Sequence, residues 1–278
     1  IEDPSGEVPS WTGSEIPVPA AVAGEVGEIR EVAAGQFEGG ASRAAVACDL
    51  RSRYPTDTET IESALDPIER QVEAGHPIPT ADRLVVEGQA RQVVLNSPYG
   101  HRVNETLGRL LAALVGQRTG TSVGMEIGPY RIELEVSSRA SARDVVEVLE
   151  TTDPDHVEAV LELALKNSDA LKFTLAQVAA KFGALKRYQG RERFGADRLL
   201  AALEDTPVYD EAVREVFHVD LAVEETANLL DRLRDEEEPL SLETARERTP
   251  IGVDGRSSGR ELLVPENADA SVIEAIEE

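Results

Sequence analysis

Two short apolar hairpins on either side of one helix constrain this chain more than any other feature. Leu84-Val85-Val86-Glu87 and Gln92-Val93-Val94-Leu95 are runs of strand-forming residues, with a turn expected at Gly88-Gln89. Residues 101–118 follow at helical spacing, with Val103, Leu107, Leu110, Leu111 and Leu114 as one stripe. A second hairpin runs from Ser122 to Ile127 and from Tyr130 to Val136, with its turn expected at Gly128-Pro129. Glu126, Arg131, Glu133 and Glu135 take the alternate positions, which predicts one sheet face open to water. The unit is ββαββ, and consecutive hairpins imply antiparallel pairing.

The rest of the chain is helical in pattern. Helices are expected at 20–35, 41–54 and 57–74 before the hairpins, with Asp57 or Thr58 capping the third and Gly75 ending it. After the hairpins they are expected at 142–150, 154–166, 169–183, 196–203, 207–217 and 222–234. Ser141, Asp153-Pro154, Ser168 and Thr206-Pro207 supply the start signals. The fold class is therefore α+β: antiparallel β-hairpins in a ββαββ unit, open or barrel-like, plus a helical, winged-helix-like region. Its expected divisions are a leading segment and helix at 1–35, a helical segment at 36–80, the β-rich unit at 81–138, a helical subdomain at 139–240 and a linker or tail at 241–278.

Charge bears on partners. The chain has 278 residues and a net charge of −25, with 53 acidic residues against 28 basic ones. Only four of the basic residues are lysine, and large aromatics are few, a balance suited to molar salt. There the Debye length falls to about 3 Å, so self-repulsion is screened. The lysines Lys166, Lys172, Lys181 and Lys186 all fall in one stretch. From Lys166 to Arg198, which also holds Arg187, Arg191 and Arg193, eight basic residues face three acidic ones, a local +5. Such an island either contacts a polyanion or pairs with the protein's own acids.

Several chemistries find no support. There is no GxxxxGK[ST], GxSxG or HExxH phrase and no zinc-deaminase signature. Cys48 is the lone cysteine, and the four histidines lack metal-ligand spacing, so no catalytic or metal residue is assigned. No apolar run approaches the roughly 20 residues a membrane span needs. The start, Ile1-Glu2-Asp3-Pro4, reads as a cut from a longer protein rather than as a signal peptide, and the expected compartment is the cytoplasm.

Two phrases suit nucleic acid. Trp11, in Pro9-Ser10-Trp11-Thr12-Gly13, can stack on a base or plug a core. In Ser97-Pro98-Tyr99-Gly100-His101-Arg102, a glycine turn opens a helix whose N–H groups can meet a phosphate. There Tyr99 can stack and Arg102 can pair with the backbone, or the stretch is an ordinary turn with Tyr99 buried.

These phrases also resemble a known family. GEVPSWTGSEIPVPAAVAGEVGEIRE, LVVEG, VVLNSPYGHRVNETLGRLLAALV, GPYRIELE and the stretch from SDALKFTLAQVAAKFGALKRYQG to TPVYDEAVREVFHVDL look like the Lhr-type helicase sequence after its winged-helix domain, in its archaeal branch. The likeness runs over residues 5–240 in order and is weak at 36–75. It implies an ATP-dependent translocase moving 3′ to 5′ on single-stranded DNA and unwinding duplexes, RNA–DNA hybrids included. Its RecA-like motor domains, with their ATP and Mg, and its winged helix would precede this piece. The family's strand-stacking tryptophan matches Trp11, and its Gly-x-Arg phrase matches Gly100-His101-Arg102. The resulting expectation is a nucleic-acid-binding accessory domain whose candidate contacts are Trp11, Tyr99, Gly100, Arg102, Lys172, Lys181, Lys186, Arg187 and Arg191. Its expected partners are single-stranded DNA or a duplex junction, and no membrane. The same fold resembles AlkZ-type DNA glycosylases, but their Gln-x-Gln phrase is missing. A repair domain and a protein-interaction module are the alternatives, and whether the chain is itself an enzyme stays open.

Overall fold

The structure is a computed structural model that describes residues 16–166, 168–185, 196–235, 237, 240–254 and 261–263. Its centre is a six-stranded sheet in the order β5-β1-β2-β4-β3-β6. The strands are β1 (Arg83–Gln89), β2 (Gln92–Asn96), β3 (Val123–Gly128), β4 (Arg131–Glu135), β5 (Ser241–Ala245) and β6 (Glu261–Leu263). All pairings are antiparallel except β1 with β5. The two edge strands do not pair with each other, so the sheet is open and the barrel-like alternative is set aside.

The first hairpin turns later than expected. Gln89 pairs with Gln92, so the connecting residues are Ala90 and Arg91, and Ala90 takes a positive φ of 53°. In the second hairpin Gly128 pairs with Arg131, which puts Pro129 and Tyr130 at the tip.

One sheet face is the main core. Leu84, Val86, Val93, Leu95, Ile132 and Leu134 pack against Val103, Leu107, Leu110 and Leu111 of α4 (Gly100–Thr119). Each such side chain contributes about 1.5–3 kcal/mol on burial. The helices behind it are α5 (Ala142–Thr151), α6 (Val157–Leu165), α7 (Asp169–Lys181), α8 (Ala196–Leu203), α9 (Pro207–Val219) and α10 (Val223–Arg232). Their starts follow the expected signals: Ser141 and Asp144 form a capping box, the Ser168 hydroxyl accepts from Leu171 N–H at 3.1 Å, and Pro207 opens α9. The helix expected over 154–166 is split, with a 3₁₀ turn at Pro154–His156 before α6.

A second core joins α1 (Ala20–Glu38), α2 (Arg43–Arg53) and α3 (Thr58–Glu73) through Ala33, Val46, Leu50, Ile61, Leu65 and Ile68. The carboxylate of Asp57 caps α3 by accepting from Thr60 N–H at 2.8 Å. Ile251, from α11 (Pro250–Asp254), belongs to this core.

Residues 241–245 and 250–254 are therefore not linker. β5 is an edge strand, and α11 reaches the second sheet face. That face departs from the expected wet surface: Glu87 is 0% exposed and Arg131 is 5% exposed. The Glu87 carboxylate accepts from Asn96 Nδ2 at 2.5 Å and from Thr249 Oγ1 and N–H at 2.6 and 3.0 Å. Arg131 donates to the Gly252 carbonyl at 2.8 Å, and Gln71 of α3 accepts from Ile251 N–H at 2.9 Å. Burial of these groups is tolerated because each is hydrogen-bonded.

Candidate nucleic-acid interface

The start of α4 is built as a rigid corner. Asn104 is fully buried and ties both hairpins to the helix. Its amide donates to the carbonyls of Ser97 and Gly128, both at 2.8 Å, and its Oδ1 accepts from the Ser97 hydroxyl at 2.7 Å. Sequence reasoning missed Asn104; a polar residue on an otherwise apolar stripe was its only signal.

The leading segment docks on this corner. Val18 N–H donates to His101 Nδ1 at 2.8 Å, and His101 N–H donates back to the Val18 carbonyl at 3.1 Å. Gly100 permits the approach, with a φ of +83° and a position where a Cβ would lie 2.7 Å from the Val18 oxygen. Gly100 N–H donates to the Pro129 carbonyl at 2.9 Å. The first N–H groups of α4 are thus occupied by carbonyls, contrary to the expectation that they stand open to a phosphate.

Tyr99 and Arg102 are also engaged within the fold. Tyr99 is half-buried, and its hydroxyl donates to the Ala81 carbonyl at 2.5 Å. Burial pushes its phenol up to about 12. The Arg102 guanidinium donates to the His218 carbonyl at 2.9 Å and to that of Leu221, satisfying the C-terminal end of α9.

The described lysines of the island are paired with the chain's own acids. Lys166 meets Glu204 at 2.7 Å, Lys172 meets Asp197 at 2.7 Å and Lys181 meets Glu215 at 3.0 Å. Trp11, Lys186, Arg187 and Arg191 lie outside the described residues. The structure therefore brings Tyr99, Gly100 and Arg102 to one corner and leaves Lys172 and Lys181 on α7.

Beside this corner is a groove of about 320 Å³ between the first turns of α4, the start of α7 and the end of α9. Pro17 of the leading segment forms part of its wall. Val216, Val219 and Leu221 line it with apolar surface, and His101, Glu105, Arg109 and Asp220 line it with polar groups. Loss of solvent raises the Asp220 carboxyl pKa, against the pull of Arg109 and Arg102. A larger concavity of about 760 Å³ carries Asp155, Glu158, Glu162, Asp210 and Glu224 against Arg214 and His218. Among the described residues no His, Cys, Asp and Glu cluster is placed to hold a metal ion, and no helix is long and apolar enough to cross a membrane.

Comparison with known proteins gives three matches. The family model described as DEAD/H associated matches residues 78–252. The curated relative "ATP-dependent helicase Lhr-Core" of Methanothermobacter thermautotrophicus is 25% identical over 82% of this chain. The chain spans 28% of that relative's length. A solved structure of Mycobacterium smegmatis helicase Lhr, described as bound to ssDNA and AMP-PNP, superposes with a TM-score of 0.67. That match is 19% identical and covers 88% of this chain and 32% of the other.

Proposed function

The chain belongs to the DEAD/H associated family, in the form carried by Lhr-type helicases, and from that premise we propose that it is a nucleic-acid-binding accessory domain that guides single-stranded DNA for a motor. The motor is a pair of RecA-like domains, with ATP and Mg, that belong to the same longer protein and drive 3′ to 5′ movement. The setting is the cytoplasm of a salt-adapted archaeal cell.

One observation carries the reading. The segment that follows Trp11 is hydrogen-bonded to the start of α4 through Val18 and His101. Trp11 lies six residues before Pro17 in the sequence, and Pro17 forms part of the groove wall. Base stacking contributes about 1–3 kcal/mol per base and needs no net positive charge. Electrostatic grip on phosphate fades steeply with salt through counterion release. A surface on which Lys166, Lys172 and Lys181 are spent on the chain's own acids therefore suits a strand held by stacking.

Fluorescence anisotropy with a labelled single-stranded oligonucleotide in 1–3 M KCl tests this. Trp11→Ala should weaken binding at least fivefold, while binding by the original chain changes little across that salt range. Equal affinities for the two proteins would remove the stacking role. Release of a base from damaged duplex without ATP would instead favour a glycosylase-like repair domain.

A further inference from the structure

Beyond the strand-guiding reading, we infer that the larger concavity docks a basic amphipathic helix of a partner protein. Its lining comes from the turn at Pro154 and α6, from α9 and from α10, and its volume is about 760 Å³.

The spacing along each helix makes the lining a set of stripes. Asp210, Val213, Arg214 and Phe217 stand at i, i+3, i+4 and i+7 on α9, one face about 10 Å long. Glu158 and Glu162 repeat at i, i+4 on α6, as Val223 and Ala227 do on α10. Val213, Phe217, Val223 and Ala227 are half-buried, so part of their apolar surface stays open to an incoming side chain. A helix with its side chains is about 10–12 Å across, and its own anchors recur at i, i+3, i+4 and i+7, the spacing these stripes present.

Charge chooses the occupant. Asp155, Glu158, Glu162, Asp210 and Glu224 are all exposed, and none is ion-paired with a described lysine or arginine. Arg214, the one arginine of the lining, meets Glu211 at 3.5 Å instead. Five carboxylates and one guanidinium give a net −4 over twelve lining residues, against −25 over 278 for the chain, more than three times the average density. A phosphate-linked strand is repelled there, and a second copy of this chain brings the same excess of acid. A helix with an apolar stripe flanked by lysine or arginine satisfies both the floor and the rim. Ion pairs held at a partly buried contact are also screened less by salt than exposed ones.

The test uses the full chain in 0.5 M KCl and a labelled 18-residue amphipathic helical peptide of leucine and lysine. Control peptides replace leucine by serine, or lysine by glutamate. Fluorescence anisotropy compares the original chain with the double variant Glu158→Lys/Asp210→Lys in the concavity and with Glu59→Lys/Glu73→Lys on α3, each with its melting temperature measured. The original chain should bind the leucine–lysine peptide and neither control peptide. The concavity variant should weaken binding about tenfold or more, and the α3 variant less than about twofold, although both change net charge equally. Equal weakening by the two variants would show attraction to net charge alone and overturn the docking site. So would binding of the serine peptide as tight as that of the leucine peptide, or no binding of the leucine–lysine peptide at all. If light scattering shows the original chain as a dimer that Glu158→Lys/Asp210→Lys dissociates, the concavity is a contact between copies and the partner-helix site is overturned.

Discussion

Glu87 on β1 and Thr249, 162 residues later, form a buried two-point contact in which both the Thr249 hydroxyl and its N–H donate to the Glu87 carboxylate. Asn96 supplies a third donor. Glu87→Ala should cost about 3 kcal/mol, because it strands buried donors. Thr249→Val should cost about 1–2 kcal/mol. In urea denaturation the double variant should lose clearly less than the sum, since the two residues share one contact. Simple additivity would show that the two side chains act independently.

Gly252 stands against the same carboxylate. A Cβ at this position would lie 2.1 Å from a Glu87 oxygen. Gly252→Ala should therefore push α11 off the sheet and cost about 2 kcal/mol or more. Hydrogen exchange should rise first at residues 249–252 and at β5, with the α4 core protected. Unchanged exchange there would mean that the segment accommodates the methyl group.

Arg102 serves the end of α9 through the carbonyls of His218 and Leu221. Arg102→Ala should lower stability by about 1–2 kcal/mol. Lys181→Ala removes an exposed ion pair with Glu215 and should shift stability by less than about 0.5 kcal/mol. Thermal denaturation of the two variants in the same buffer checks the ranking. A larger loss for Lys181→Ala would reverse the roles assigned to them.

Tyr99 predicts an alkaline limit. Its phenol is pushed up to about 12 by burial, while an unfolded tyrosine ionises near pH 10. Between those values the folded state holds the extra proton. Stability is then complete below about pH 10 and falls as pH rises toward about 12. Tyr99→Phe should flatten that slope, and at neutral pH it should cost about 1 kcal/mol for the lost bond to Ala81. A slope unchanged by Tyr99→Phe would assign the alkaline transition to another group.

By itself the sequence determined the elements whose signals are local: the two hairpins, α4 with its stripe, and the helices from α5 to α10, of which α5 and α7 carry side-chain caps. Periodicity and capping act within a few residues, so Val103, Leu107, Ser141 and Ser168 can be read where they stand. Only the tertiary structure decided which polar groups turn inward. Glu87 and Arg131 look solvated along their strands, but they are covered by a segment more than 110 residues away. The same distance hid β5, whose parallel partner β1 lies across the whole helical region. It also decided that Tyr99, Gly100 and Arg102 spend their chemistry inside the fold. The reason is physical: a hydrogen bond between residues far apart in the chain leaves no period in the sequence, and burial is set by whatever element arrives on top.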